Sequence, residues 1–381
     1  MSVTHPQGFS ATGLAIGLKS SGNADLALVQ NLGPSTAAAV VFTSNRAKAN
    51  PIIWSQQVIA DGVVSAIVLN SGGANCYTGS RGFQVTHATA EAVAAKLSVS
   101  AGDVLVCSTG LIGDQLPLDK LLTGIHAATL SVEGGADAAL AIMTTDSRPK
   151  TAIVDRDGWS LGGMAKGAGM LAPGLATMLV VITTDANLPS AALDAALREA
   201  TRVSFDRLDS DGCMSTNDQV SLLASGASGI APTQAEFTAA VIEICRNLAL
   251  QLQGDAEGAS HDITIETVGA RSEDDAVEVG RSVARNNLFK AAVFGNDPNW
   301  GRVLAAVGTT QAEFDPYDID VSINGVMVCR SGEPGESRDL IDLTPRAVHV
   351  LIDLKVADAT ATVLTNDLTH DYVHENSAYA S

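Results

Sequence analysis

Hydrophobic and polar positions follow two periods along this chain. Val64–Leu69 (VSAIVL) and Met178–Thr184 (MLVVITT) are short apolar runs rich in β-branched residues, and Val104–Cys107 is a shorter one. Such runs predict strands buried on both faces. Asp262–Ala270 (DITIETVGA) and Asp318–Cys329 (DIDVSINGVMVC) alternate instead, as strands with one buried face do. Thr86–Leu97, Ser190–Phe205 and Thr233–Gln253 repeat their apolar residues every three to four positions and predict helices, the second introduced by a cap region at Pro189–Ser190. Asn70–Gly82 (NSGGANCYTGSRG) reads as a turn region, and Gly158 in VDRDGWS as the turn of a hairpin. No internal repeat, low-complexity tract or long linker interrupts the pattern. It predicts an α+β fold with antiparallel or mixed sheets between helical layers.

Composition narrows the function classes. The chain has 381 residues, 46% of them hydrophobic, which is enough for two or three domain-sized units. Only 4% are aromatic, so the core is built from Ala, Val, Leu and Ile. A net charge of −19 repels nucleic acid and anionic membranes, and neither is expected as a partner. No apolar run approaches the roughly 18 residues of a membrane span. The first twenty residues lack the basic-then-apolar order of a signal peptide. Five cysteines, an odd number with no CxxC, predict buried reduced thiols in a cytoplasmic protein rather than disulfides or a zinc site.

Several motifs carry candidate chemistry. GGMAKGAGM is glycine-rich, but it lacks the order of a P-loop and precedes a strand where a dinucleotide fingerprint would follow one. No GxSxG elbow is present. His370 and His374 are spaced as a helical pair, yet no third ligand is evident, so no metal is expected. Thr109 and Gly110 in STGLIG place a hydroxyl and flexible backbone at a strand end, where they form a turn or polarise a carbonyl oxygen. Glu257 stands among small residues in GDAEGASHD, and Phe294–Gly308 (FGNDPNWGRVLAAVG) is a dense, rigid loop entering an apolar segment. Thr177, directly before a strand in APGLATML, is either a strand former or a nucleophile. A threonine hydroxyl needs a base, and cleavage of the Ala176–Thr177 bond would supply one as the new α-amino group. Its reference pKa of about 7.7–8.0 leaves a useful neutral fraction near pH 7.

Taken together these stretches resemble one family. KGAGMLAPGLATML, CSTGLIGDQLP, AIMTTD, FDRLDSDGCMSTND, DAEGASHDITI, GNDPNWGR and HDYVHENSAYAS occur in order over nearly the whole chain. They resemble the ornithine acetyltransferases, or glutamate N-acetyltransferases, of arginine biosynthesis. The resemblance implies the layered α+β fold of the DmpA/ornithine-acetyltransferase group, self-cleaved into two interlocked chains, residues 1–176 and 177–381, assembled as a heterotetramer of two copies of each. It implies Thr177 as nucleophile, and Thr109 and Gly110 as the oxyanion hole. Thr144 or its neighbour Thr145, Lys166, Glu257, Asn376 and Ser381 line the substrate pocket. The implied reaction passes an acetyl group from N-acetylornithine to glutamate through acetyl-Thr177, giving ornithine and N-acetylglutamate without a cofactor. Acetyl-CoA remains open as a co-substrate, and a self-processed aminopeptidase or amidohydrolase on the same fold is the alternative.

Overall fold

The structure, a computed structural model, describes residues 2–172 and 178–378. Ala176, Thr177, Tyr379 and Ser381, and with them the expected cleavage bond, lie outside the described residues. The chain forms two compact units. The first takes the described residues of Met1–Ala168, Gly174–Asp206 and Met214–Leu252, and the second those of Gly169–Pro173, Arg207–Cys213 and Gln253–Ser381.

The first unit holds two sheets. One has four strands in the spatial order Phe9–Leu14, Leu26–Asn31, Ala66–Ser71 and Val104–Thr109. The last two run parallel, with helix Gly79–Leu97 as their crossover, and every residue of both is buried. The expected strand at Val64–Leu69 thus starts two residues later, and the turn region ends at Thr78, where that helix takes over. The other sheet has five strands in the order Ala37–Phe42, Gln219–Ala224, Leu179–Thr184, Trp159–Lys166 and Lys150–Arg156. Gly158, at φ +82°, makes the expected hairpin turn between the last two.

Helix Gln234–Gln253 buries Phe237, Ala240, Val241, Ile244, Cys245, Leu248, Ala249 and Leu252, the stripe its periodicity predicts. Its start is a capping box. The Thr233 hydroxyl accepts from the Glu236 N–H, and the Glu236 carboxylate accepts from the Thr233 N–H at 3.0 Å. The Phe237 ring packs on Trp159 of the five-stranded sheet at 5.7 Å between centroids.

The second unit is built on a six-stranded mixed sheet, in the order Glu333–Pro334, Val326–Arg330, Asp320–Ile323, Ala347–Asp353, Asp262–Ala270 and Ala359–Asn366. Ile263, Ile265 and Thr267 point into its core and the residues between them do not, as the alternation predicts. Helix Glu273–Ala284 covers this face, capped by the Ser272 hydroxyl and opened by three acidic residues that suit its positive end. Phe294–Gly308 resolves into the end of one helix, a short loop and helix Trp300–Val307, whose Trp300 packs against the core. The polar C-terminal stretch is helical over His370–Ala378. Four of the five cysteines are buried, as expected; Cys213 is exposed. Among the described residues no helix is long and apolar enough to cross a membrane.

Candidate functional site

The first unit assembles its candidates at the end of the strand Val104–Thr109. Thr109 is 2% exposed, and its carbonyl accepts from the N–H groups of both Gly72 and Gly73 at 2.9 Å. The chain then leaves the sheet through Gly110 at φ +131°. A side-chain carbon on Gly110 would lie 2.5 Å from the Gly73 nitrogen, so only glycine permits this exit. The strand end is braced from two sides. The Ser108 hydroxyl donates to Asn70 Oδ1 at 2.6 Å. Asn217 Nδ2 donates to the carbonyls of Ala74 and Ser108 at 2.6 and 2.8 Å.

Lys166 ends the strand Trp159–Lys166 and is 1% exposed. Its ammonium donates to Thr109 Oγ1 at 3.2 Å. A hydroxyl oxygen that accepts from an ammonium keeps its own proton to give, and the nearby positive charge strengthens that donation.

Asp146 organises the same corner. Its Oδ1 accepts from the Lys150 ammonium at 2.6 Å and the Gly167 N–H at 2.7 Å, and its Oδ2 from the Thr144 N–H at 2.9 Å. Burial pushes this carboxyl up, but Lys166, Lys150 and these donors outweigh it and hold the group at about 2. It is therefore an anion that fixes Thr144 and the start of the glycine-rich segment. Thr144 and Thr145 are both half-buried.

Asp218 reaches the residue after Thr177. Its Oδ1 accepts from the Met178 N–H at 3.0 Å, while its Oδ2 is buried with no partner among the described residues. Burial raises this carboxyl well above its ordinary range. Asp146, Asn217 and Asp218 were not singled out from the sequence. The only signal was that Asp146 lies in AIMTTD, and Asn217 and Asp218 in STND, two of the stretches that carry the resemblance.

The second unit brings Glu257 and Asn376 together. Asn376, on the C-terminal helix, donates to Glu257 Oε2 and to the Tyr372 carbonyl, both at 3.0 Å. The helix begins at a cap. The Thr369 hydroxyl accepts from the Tyr372 N–H at 2.9 Å and donates to the Gly258 carbonyl at 2.6 Å, one residue after Glu257. Tyr372 is half-buried, and Val373 beside it is 57% exposed. Gly169 of KGAGM also meets Glu257: a side-chain carbon there would lie 2.4 Å from Oε2. The next residues are held in turn, with the Met170 N–H donating to Asp211 Oδ2 at 2.7 Å and the Ser210 N–H to the Leu171 carbonyl at 2.6 Å.

His370 and His374 stand one turn apart on the C-terminal helix, and the His370 ring packs edge-on against Phe294 at 5.4 Å. Among the described residues no group of three or more His, Cys, Asp or Glu side chains is placed to hold a metal ion.

Known proteins match the chain along its length. The arginine biosynthesis bifunctional protein ArgJ of Streptomyces avermitilis is 64% identical over 383 residues, covering 100% of both chains. The protein of the same name from Thermobifida fusca is 59% identical with the same coverage. A crystal structure of ornithine acetyltransferase from Mycobacterium tuberculosis, complexed with ornithine, is 53% identical over 47% of this chain and 96% of its own, at a TM-score of 0.45. The ArgJ family model matches residues 10–381, and the chain belongs to the ArgJ family.

Proposed function

We propose that the protein transfers the acetyl group of N-acetylornithine to glutamate through an acetyl ester on Thr177, releasing ornithine and N-acetylglutamate. The observation that carries this reading is the buried Lys166 ammonium donating to the Thr109 hydroxyl at the mouth of a strand. That arrangement leaves a polarised O–H donor suited to an oxygen that gains negative charge.

The chemistry balances without a redox partner. Thr177 Oγ attacks the acetyl carbonyl, and its proton passes to the α-amino group that cleavage of Ala176–Thr177 creates. The carbonyl oxygen becomes an oxyanion that takes hydrogen bonds from Thr109 and Gly110. Collapse breaks the C–N bond, the α-ammonium protonates the leaving amine, and ornithine departs. The amine of glutamate then attacks the ester by the reverse path. Thr144 or Thr145, Lys166, Glu257, Asn376 and Ser381 hold the amino-acid portion that both substrates share. Acetyl-CoA is a second acetyl donor to be tried, and the processed enzyme assembles from two copies of each piece in the cytoplasm.

Incubation of purified protein with acetyl-labelled N-acetylornithine tests this, with and without glutamate. The expected products are an acetylated peptide beginning at Thr177 and, when glutamate is present, labelled N-acetylglutamate. Release of free acetate with no labelled glutamate would overturn the reading in favour of an amidohydrolase.

A further inference from the structure

The second unit contains a cavity of about 200 Å³ beside Glu257, bordered by Asp211, Lys290 and Tyr372. It is smaller than the roughly 300–1,000 Å³ that encloses a whole drug-sized ligand, and suits one end of a small one. Its charges are mixed. Lys290 lies on helix Asn287–Phe294, is 6% exposed, and donates to the Ser210 carbonyl. Among the described residues no carboxylate oxygen lies within 4 Å of its Nζ, so a buried cation faces the cavity without an ion-pair partner. Burial lowers its proton affinity, and the more distant Asp211, Asp209 and Asp367 oppose this. Asp367 is already taken by Ser260 and His261, and Asp209 by Arg285. Two carboxylates at the cavity are less committed. Asp211 accepts backbone N–H groups, from Met170, Leu171 and Cys213, and Glu257 accepts from Asn376 through one oxygen.

The two amino acids of the proposed reaction differ most at their side-chain ends. One carries an ammonium after three methylenes, the other a carboxylate after two. A pocket of a single sign would repel one of them, since like charges brought together cost binding. We propose that this cavity receives both side-chain ends, Lys290 holding the carboxylate of glutamate, and Asp211 holding the ammonium of N-acetylornithine. The assignment rests on the proposed transferase reading. It adds Lys290 and Asp211 as residues that set specificity.

The test uses the full-length, self-processed protein with Lys290→Met and Asp211→Asn. Lys290→Met is expected to raise KM for glutamate roughly 10–100-fold and to leave KM for N-acetylornithine unchanged or lower, and Asp211→Asn to do the reverse. A general loss of packing would raise both constants together, and that outcome, or no change in either, overturns the proposal. Should a variant fail to fold, wild-type protein still decides. Calorimetric binding is expected to favour glutamate over glutamine by at least tenfold; equal binding means that no cation reads the carboxylate. Binding needs no turnover, so the cavity is tested even if the wild type makes no N-acetylglutamate, an outcome that would sink the transferase reading alone.

Discussion

At the scale of single residues, the buried charges around Thr109 set part of the acid stability. If Thr109 donates to the oxyanion, Thr109→Ala should lower kcat by roughly 10²–10³ with little effect on KM. It should also slow self-cleavage, which passes through a similar oxyanion; an unchanged kcat returns Thr109 to a turn residue. Asp146 makes a separate prediction. Its carboxyl is held at about 2 in the folded protein, against about 3.9 in an unfolded chain. A depressed folded value means that its stabilising contribution is present above pH 4 and is lost as pH falls through 2. The contribution is about 2 kcal/mol. Urea unfolding at pH 7 and pH 3 should show Asp146→Asn less stable than wild type at pH 7, with the gap narrowed at pH 3. Thr109 and Gly110 stood out in the sequence as a hydroxyl and a glycine after a strand, and Lys166 through the family resemblance, but the hydrogen bond that joins Lys166 to Thr109 was not legible there. Asp146, Asn217 and Asp218 act on groups 2 to 143 positions away. Their roles came from the fold, which no spacing encodes.

At the scale of elements, buried strands and amphipathic helices were readable because their periods follow from packing. The strands Phe9–Leu14, Leu26–Asn31 and Ala37–Phe42 were not, because FSATGL is interrupted by small residues and AAAVVF fits a helix as well as a strand. The helix Thr233–Gln253 shifts by one residue because Thr233 is the cap. The C-terminal helix is the least obvious element: most of it is exposed and polar, so burial alone does not hold it. The Thr369 cap, the half-buried Tyr372 ring and the Asn376–Glu257 bond do. Deleting residues 375–381 removes that bond and the proposed Asn376 and Ser381 contacts. KM for N-acetylornithine and for glutamate should both rise, because both substrates place the same amino-acid portion there. Cleavage of Ala176–Thr177 should continue. A truncated enzyme with both KM values unchanged would remove Asn376 and Ser381 from the site.

At the scale of the whole molecule, the five-stranded sheet decides what self-cleavage can do. Ala37–Phe42, Lys150–Arg156 and Trp159–Lys166 precede the Ala176–Thr177 bond, while Leu179–Thr184 and Gln219–Ala224 follow it. Leu179–Thr184 is paired over its full length with Trp159–Lys166 on one side and Gln219–Ala224 on the other, and Gln219–Ala224 is paired in turn with Ala37–Phe42. Every residue of Leu179–Thr184 is buried, and Met164, Leu179, Val181 and Leu223 share one core with Val40. Separating the pieces would expose that core and two ladders of backbone hydrogen bonds, a cost far above what dilution can supply. The wild-type protein should therefore run as two bands on a denaturing gel, residues 1–176 and the 205 residues (381 − 176) of 177–381. The same sample should elute as one species on native size exclusion at every dilution. Thr177→Ala should give one uncut band, the same native elution and no transfer of acetyl to glutamate. Fully active protein that stays uncut would disprove the N-terminal nucleophile, while pieces that part under native conditions would show that the shared sheet does not hold them.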